Sequence, residues 1–316
     1  MKITTHKNNI FIKITKTEEA ISLQDFLKTQ FPVPKTLLHE FRTEKKVVVN
    51  EQQPNWTSLL TIGDTLKINI TRDEQITPTP SPMEIEVLYE DDHLLIVNKP
   101  SGVDTHPGSI DSTNTLSNGV AYYFQQKGIR SKVRHMHRLD KETSGAILFA
   151  KHALSGALLD KALEERKIKR TYIALVEGAM NKLTGRINQP IGKDRHHASR
   201  RRVSPNGQKA VTNFKVIKKL VGCTLVQLTL ETGRTHQIRV HMSHIGHPLV
   251  GDNLYGAKNK LSHSGQALHA WKLDVPHPFN DEVVSVTATI SNDFSPSKDL
   301  TLQVQKIVEN VKCEGN

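Results

Sequence analysis

A proline-rich stretch over residues 71–83 most constrains how this chain can fold. Its three prolines alternate with small polar residues. Proline lacks the amide hydrogen that a helix needs and biases the preceding residue towards extended backbone. The stretch therefore predicts an extended linker. Because 316 residues suffice for two domains, we expect a small N-terminal domain (residues 1–72), a linker (73–84) and a larger domain (85–316).

The chain is strongly basic. Lysine and arginine number 43 against 32 aspartates and glutamates, which gives a formal net charge of +11. A basic surface favours polyanions, and nucleic acid is the commonest large polyanion in a cell. Nucleic acid is therefore the expected partner, and a basic enzyme that binds no polyanion is the alternative.

Cysteine usage and hydropathy indicate the compartment. Cys223 and Cys313 lie far apart and follow no metal-ligand or redox spacing, which predicts a reducing environment without disulfides. No apolar run approaches the roughly 18 residues that cross a bilayer, and the N-terminus lacks the apolar core of a signal peptide. The sequence predicts a cytoplasmic protein without a membrane partner.

The N-terminal domain shows two helical patterns followed by a hairpin. Apolar residues recur at helical spacing around residues 21–27 and 33–41, and residues 47–49 and 66–70 have strand character on either side of a Gly63-Asp64 turn. The layout resembles the αL RNA-binding domain shared with a ribosomal small-subunit protein, which implies RNA contact. The basic residues near the helices are Lys35, Arg42, Lys45 and Lys46. A small packing domain without RNA contact is the alternative.

The larger domain is mostly β. Apolar and polar residues alternate over 85–90 and 284–290, which is typical of antiparallel sheet with one buried face. Helical patterns cover residues 116–126 and 154–166, and a third begins at Thr235, which can act as N-cap. The predicted class is α+β, with a mixed, mainly antiparallel sheet preceded by the small α/β domain.

One nine-residue stretch, 137–145, carries a carboxylate and a guanidinium in a polar turn. Asp140 follows Arg138 by two residues, and the fully apolar run 146–150 begins soon after. A carboxylate beside a guanidinium at the edge of a buried strand is well placed to stay ionised for chemistry. An ordinary turn-forming aspartate has the same appearance, so the stretch by itself leaves both interpretations open.

Three other polar clusters could join Asp140. The run 169–172 ends in Tyr172 at the start of a strand, where a half-buried strand aromatic is the alternative. The run 233–241 places His236 and Arg239 three apart, on one face of a helix. The run 193–202 is basic and predicts a flexible loop that contacts phosphates, with an ordinary solvated loop as the alternative.

Together these motifs resemble the RluA-type family of pseudouridine synthases. Residues 137–140 with 143–145 match the signature around the family's catalytic aspartate, and 98–102 match its upstream motif. Residues 169–172 match the segment of its active-site tyrosine, and 233–241 match its downstream arginine motif. The motifs occur in the same order, and the likeness runs from about residue 85 to 290. Several long motifs in order are far more specific than one short pattern.

The resemblance implies a pseudouridine synthase, which detaches uracil from the ribose of a uridine and rejoins it through C5. It implies that Asp140 is the catalytic carboxylate, but leaves open whether it attacks the sugar or the base or takes a sugar proton. Arg239 would pair with Asp140, and Tyr172 would stack on uracil and help to remove the C5 proton. Further residues are implied to bind substrate: Arg138, His137, Thr143, Lys99, Arg234, His236 and Gln237.

The implied reaction is redox-neutral, so no cofactor and no metal is expected. The expected partner is RNA rather than DNA, with ribosomal RNA of the large subunit favoured and transfer RNA as the alternative. The expected oligomeric state is a monomer.

The sequence leaves two rival functions open. The spacing of His135, His137 and Asp140 is superficially that of a metallohydrolase, but a zinc hydrolase needs further ligands, and Arg138 would repel a dication. A non-catalytic RNA-binding protein would show the same charge, but an ionised Asp140 in a phosphate-binding groove would repel its ligand.

Overall fold

A computed structural model describes residues 2–16, 18–71, 73–109, 112–258 and 265–313 of the chain. The described residues form two units, each built on its own β-sheet. None of the described helices is both long and apolar enough to span a membrane.

The N-terminal unit is a four-stranded antiparallel sheet in the order β1-β2-β4-β3, covered by helices. The elements are β1 (Lys2–His6), β2 (Asn9–Lys13), α1 (Leu23–Asp25, continued by a π-helical turn Phe26–Gln30), α2 (Lys35–Thr43), β3 (Val47–Val49) and β4 (Thr65–Asn69). The sequence interpretation had two helices and the β3–β4 pair but missed β1 and β2. In β2, Ile10 and Ile12 are fully buried and alternate with more exposed residues, which is the period of a half-buried strand.

The larger unit is a ten-stranded sheet in the order β10-β13-β14-β9-β15-β8-β6-β5, with β16 beside β15 and β7 beside β8. All of its pairings are antiparallel except β15 with β8, so the prediction of a mixed, mainly antiparallel sheet is confirmed. The strands are β5 (Glu86–Glu90), β6 (Leu94–Lys99), β7 (Arg134–His135), β8 (Ser144–Ala150), β9 (Lys169–Glu177), β10 (Thr184–Asn188), β13 (Val211–Lys219), β14 (Cys223–Leu230), β15 (Leu268–Pro276) and β16 (Val283–Thr287).

A separate hairpin carries the basic run that was predicted as a flexible loop. Strands β11 (Ile191–Lys193) and β12 (Arg201–Val203) pair antiparallel and place residues 194–200 at the tip. The prediction of a loop is therefore corrected to a hairpin tip whose two ends are held by strand pairing.

Among the described residues, four helices and a short 3-10 turn accompany the large sheet: α3 (Leu116–Gln126), α4 (Ala153–Glu164), α5 (Gln237–His244), the turn Asn253–Tyr255 and α6 (Lys298–Cys313). Helix α3 begins at a Thr115 capping box and has the predicted bounds. Helix α5 starts later than predicted: His236, in left-handed backbone at φ +57°, is its N-cap, and not Thr235. Helix α6 was missed, although Val304 and Val308 bury one face at helical spacing.

The proline-rich segment forms neither helix nor strand over residues 73–83, and side chains fasten it to the larger unit. Glu74 accepts two hydrogen bonds from Arg134, at 2.6 and 2.8 Å. Asn118 of α3 donates to the carbonyl of Thr79 at 2.8 Å. These contacts fix the path of the segment along the larger unit.

The two units share an apolar contact next to a cluster of histidines. Phe31 of the N-terminal unit packs against Phe279 at 6.2 Å between ring centroids, and the ring of His93 lies 4.4 Å from Phe279. His93 in turn contacts His152, with 3.0 Å between Nδ1 and Nε2. Burial lowers the pKa of His93 to about 4, against the opposing attraction of Asp91. This inter-unit contact therefore contains a histidine that stays neutral near pH 7.

Acid should weaken the fold through His93. Its pKa is depressed in the folded state, so the unfolded chain binds more protons below pH 6.5, and stability falls as the pH drops from about 6.5 to 4. We expect His93→Gln to reduce this slope by about 1 kcal/mol per pH unit, measured by urea unfolding at several pH values. The exposed His39 provides the control His39→Gln. An unchanged slope in His93→Gln would contradict the assignment.

Candidate active site

Asp140 lies in the turn between β7 and β8. The Thr143 amide donates to the Asp140 carbonyl at 3.0 Å and closes the turn. Gly145 then enters β8 at φ +113°, and a Cβ there would lie 2.3 Å from the carbonyl oxygen of Ala270 on β15. Because only glycine allows this approach, Gly145 fixes where the turn meets the sheet.

The upstream motif 98–102 holds this turn in place. The Lys99 ammonium is fully buried and donates to the carbonyls of Pro100, Val103 and Lys141, at 2.9, 2.6 and 2.8 Å. The Ser101 hydroxyl donates to the carbonyl of Glu142 at 2.9 Å. The predicted direct contact between Lys99 and substrate is therefore corrected, since all three of its donors are used inside the protein.

Replacing Lys99 should loosen the Asp140 turn. Lys99→Met leaves buried carbonyls without a donor, so we expect a loss of about 3 kcal/mol or more in the free energy of unfolding. Turnover should fall about tenfold, because small displacements of a reacting group are costly. The matched control is Lys141→Met, the same change at an exposed position of the same turn. Equal stability of the two variants, compared by thermal unfolding, would contradict this role.

Arg239 joins Asp140 to a second carboxylate, Asp252. The guanidinium of Arg239 donates to both oxygens of Asp252, at 2.7 Å from Nε and 2.8 Å from Nη2. Its Nη1 lies 3.3 Å from Oδ2 of Asp140. The Asp252 side chain is 0% exposed and that of Asp140 is 22% exposed. Asp252 therefore holds the guanidinium rigidly, and Asp140 stays open to the cavity.

The charge of Arg239 is secured by these partners. Burial alone would lower its pKa, but the hydrogen bonds and charge of Asp252, followed by those of Asp140, raise it. A charged guanidinium therefore lies beside Asp140 and can orient its carboxylate through a charge-assisted hydrogen bond.

His236 completes the surroundings of Asp140. Its Nε2 lies 3.9 Å from Oδ2 of Asp140, and its Nδ1 lies 2.8 Å from the hydroxyl of Tyr255. Burial lowers the pKa of His236 against the pull of Asp140, so the ring is neutral near pH 7. The contact with Tyr255 orients the ring so that Nε2 faces Asp140.

Tyr172 and Arg138 line the space above the carboxylate. Tyr172 is 5% exposed, whereas Arg138 is exposed. Asp140 borders a cavity of about 50 Å³ that both residues line, and an adjoining cavity of about 390 Å³ that Arg138 lines. The larger one has the size of pockets that hold small ligands. Burial raises the pKa of Tyr172, which favours the neutral phenol.

Other residues predicted to bind substrate are used within the protein. The side-chain amide of Gln237 makes four hydrogen bonds, with Arg234, Thr232, Val211 and Thr212. Thr143 is 2% exposed, and its hydroxyl accepts from Gln266 at 3.0 Å. Direct substrate contact is therefore corrected for Gln237, whose side-chain amide is fully used, and stays a prediction for Thr143, whose hydroxyl accepts here and can still donate. Both residues shape the walls of the site.

Arg234 and His137 lie at the edge of the site. Arg234 is exposed and donates from Nε to the carbonyl of Lys209 at 3.1 Å. Nε2 of His137 accepts from the Leu148 amide at 3.2 Å. Neither arrangement excludes a contact with a bound ligand, because further donors of both side chains remain.

The histidines that suggested a metallohydrolase have other contacts. The ring of His135 stacks on His106 at 4.9 Å, and His137 binds the Leu148 amide. Among the described residues, no group of three or more histidine, cysteine, aspartate or glutamate side chains could hold a metal ion.

The sheet order explains why these residues meet. Strands β8 and β9 flank β15, and the register places Ser144 opposite His269 and Tyr172 opposite Ala270, so the turn that precedes β8 lies close to Tyr172. Helix α5 then brings Arg239 to this turn from 99 residues further along the chain than Asp140.

The sequence around these residues is similar to that of known proteins. The sequence model of the family described as RNA pseudouridylate synthase matches residues 93–244, which contain Asp140, Tyr172 and Arg239. A Bacillus subtilis (strain 168) protein named uncharacterized RNA pseudouridine synthase YhcT is 45% identical over 285 residues, covering 90% of this chain and 94% of that protein. The chain belongs to the RluA-type RNA pseudouridine synthases.

Further relatives of this RluA-type synthase agree in fold and sequence. The ribosomal large subunit pseudouridine synthase D of Haemophilus ducreyi (strain 35000HP / ATCC 700724) is 34% identical over 245 residues, covering 73% of this chain and 75% of that protein. The structure of human RNA pseudouridylate synthase domain containing 1 matches with a TM-score of 0.56 and 27% identity, covering 73% of this chain and 98% of that one. Residues 10–66 match the N-terminal domain model of the RluD ribosomal pseudouridine synthase.

Sequence reasoning missed two residues of the RluA-type site. Asp252 and Tyr255 orient Arg239 and His236, yet they lie outside the motifs that suggested the site. The available signal was weak: Gly251-Asp252 follows an apolar pair, as many turns do.

Proposed function

We propose that this synthase converts specific uridines of large-subunit ribosomal RNA to pseudouridine, with Asp140 as its catalytic carboxylate. One observation carries the assignment of Asp140: a partly exposed carboxylate lies 3.3 Å from a guanidinium that a fully buried second carboxylate holds in place. A non-catalytic RNA-binding protein has no need of this arrangement.

In the proposed reaction the target uridine first leaves its stack, at a cost of a few kcal/mol. The exposed Arg138 fills the space or stacks on the nucleotide. The bond between C1′ and N1 then breaks, uracil turns, and C1′ joins C5, while N1 gains a proton and C5 loses one. Asp140 acts on the sugar or the base, or takes a sugar proton.

Tyr172 supports the base during its rotation. Its buried ring offers a stacking face, and its phenol is neutral because burial raises its pKa. A neutral phenol is a weak base, so stacking is the main role that we assign to it. The reaction consumes no oxidant and no group donor, and we propose that it needs no cofactor and no metal.

We propose residues 1–72 as an RNA-contacting domain, 73–84 as its linker and 85–316 as the catalytic domain. Lys35, Arg42 and Lys45 are exposed on or beside α2 and can reach phosphates. Lys46, by contrast, is 14% exposed and pairs with Glu40 and Glu44 at 3.1 and 2.8 Å. The basic tip at 194–200 is a further phosphate contact.

Neutralising the exposed α2 cations tests the N-terminal contact. We expect the combined change Lys35→Gln, Arg42→Gln and Lys45→Gln to weaken RNA binding about tenfold at low salt and to reduce the salt dependence of the affinity. Turnover at saturating RNA should persist. A packing domain would leave both the affinity and its salt dependence unchanged, as measured by filter binding across salt concentrations.

We propose ribosomal RNA because relatives over most of the chain are named ribosomal large subunit pseudouridine synthase D. Transfer RNA is the alternative. We also propose a cytoplasmic monomer, since Asp140, Tyr172 and Arg239 all come from one chain.

Pseudouridine mapping of total RNA from cells with and without the gene tests the function. We expect one pseudouridine of ribosomal RNA to be absent without the gene. Absence of a transfer RNA pseudouridine would instead make transfer RNA the substrate, and an unchanged set of pseudouridines would refute the activity.

A further inference from the structure

A second cavity, of about 410 Å³, opens beside the active site. It shares Arg138, Tyr172 and Leu230 with the small cavity at Asp140, so the two spaces adjoin at these side chains. Its volume falls within the roughly 300–1,000 Å³ typical of ligand pockets. The reaction at Asp140 gives this space no role.

The walls of the cavity are cationic. Four arginines line it, against two glutamates: Arg138, Arg166, Arg170 and Arg234, with Glu164 and Glu231. Glu231 accepts from Arg186 at 3.0 and 3.1 Å and from Asn213 at 3.1 Å outside the cavity, and from Arg166 of the cavity wall at 3.5 Å. The remaining charge favours an anionic ligand.

Two donors at the cavity wall are buried and have no hydrogen-bond partner in the described part of the chain: Nδ1 of His137 and Nε of Arg170. The Leu148 amide donates to Nε2 of His137, so the single proton of the neutral ring sits on Nδ1. Burial lowers the pKa of His137 to about 3, with further lowering by Arg170 and His135, which keeps the ring neutral. Unpaired buried donors are costly, and a ligand acceptor would satisfy them.

Gly233 leaves room for one of these donors. A Cβ at position 233 would lie 2.7 Å from Nη1 of Arg170, although Gly233 has no unusual backbone angle. Glycine at this position therefore lets the Arg170 guanidinium lie against the backbone at the cavity wall.

We infer that this cavity binds a second nucleotide of the substrate RNA, next to the target uridine. The arginines hold its phosphate, and acceptor atoms of its base or sugar receive the donors of His137 and Arg170. The inference rests on the proposed action on RNA and adds a recognition subsite to it. The site would select RNA by the nucleotide beside the target as well as by the target itself.

A double-mutant cycle between protein and RNA tests the subsite. Arg170→Gln should raise KM about tenfold with kcat within about twofold, because the contact is made equally in the ground and transition states. The control is Arg130→Gln, an exposed guanidinium that pairs with Asp73 and does not line the cavity. In the RNA, a neutral methylphosphonate replaces each linkage near the mapped uridine in turn. At one linkage, the methylphosphonate should raise the KM of the wild-type enzyme about as much as Arg170→Gln does. At that linkage it should leave the KM of the Arg170→Gln variant unchanged.

Gly233→Ala, which displaces Arg170 without removing it, should also raise KM, and it serves if Arg170→Gln fails to fold. Additive effects at every linkage, or an unchanged KM in Arg170→Gln, would overturn the subsite. The same cycle is also measured as Kd, in protein that carries Asp140→Ala. If no modified uridine has been mapped, the RNA used is the large-subunit ribosomal RNA fragment that binds most tightly. A protein without synthase activity would thus refute the proposed function, while the Kd cycle would still decide on the cavity.

Discussion

Asp140→Ala is expected to abolish pseudouridine formation while RNA affinity stays within about threefold of wild type. Removing a group on which the whole mechanism depends typically costs at least about a thousandfold in kcat. Affinity should persist because the carboxylate repels phosphates more than it binds them. Release of tritium from RNA labelled at C5 of uridine gives the rate, and filter binding gives the affinity.

Two companion variants sharpen this test. Asp140→Asn keeps the size and polarity of the side chain but not its charge, and we expect the same loss of activity. Asp104→Asn is the matched control, since Asp104 is exposed and lines the neighbouring 390 Å³ cavity. Near-normal turnover in Asp140→Asn would show that charge at this position is unnecessary and would remove Asp140 from the catalytic role.

Substitution of Arg239 is expected to have the second large effect on turnover. Arg239→Ala should lower kcat by at least about a hundredfold, because Asp140 loses its ionic partner and its orientation. The same change leaves Asp252 buried and uncompensated, so we also expect destabilisation of about 3–5 kcal/mol. Turnover must therefore be compared in protein shown to be folded by circular dichroism.

Arg239→Lys separates charge from geometry. Lysine keeps the positive charge but cannot bind Asp252 through two nitrogens while a third faces Asp140. We expect a folded variant with kcat reduced about as far as in Arg239→Ala and with RNA affinity nearly unchanged. Arg186→Ala, which breaks an exposed ion pair, is the control. Wild-type kcat in folded Arg239→Lys would contradict the requirement for a fixed guanidinium.

Much of the fold could be predicted because its signals are local. The helical pattern over residues 116–126 predicted both ends of α3, and strand alternation predicted β5 and β16. Strands β1 and β2 are short and were missed, since five-residue alternations are easily overlooked. The predicted start of α5 was wrong because the Gln237 side chain accepts from the Arg234 amide and His236 adopts left-handed backbone. The helix therefore begins at Gln237.

The sequence by itself determined the family motifs, their order and the aspartate around which they gather. Tertiary structure decided what each polar residue of those motifs contacts. Lys99 and Gln237 are used inside the protein, Asp252 and Tyr255 orient the site from outside the motifs, and His137 and Arg170 face a second cavity. The physical reason is that local pattern reports burial and backbone conformation, whereas the partner of a buried polar group is set by strands and helices that meet only after folding.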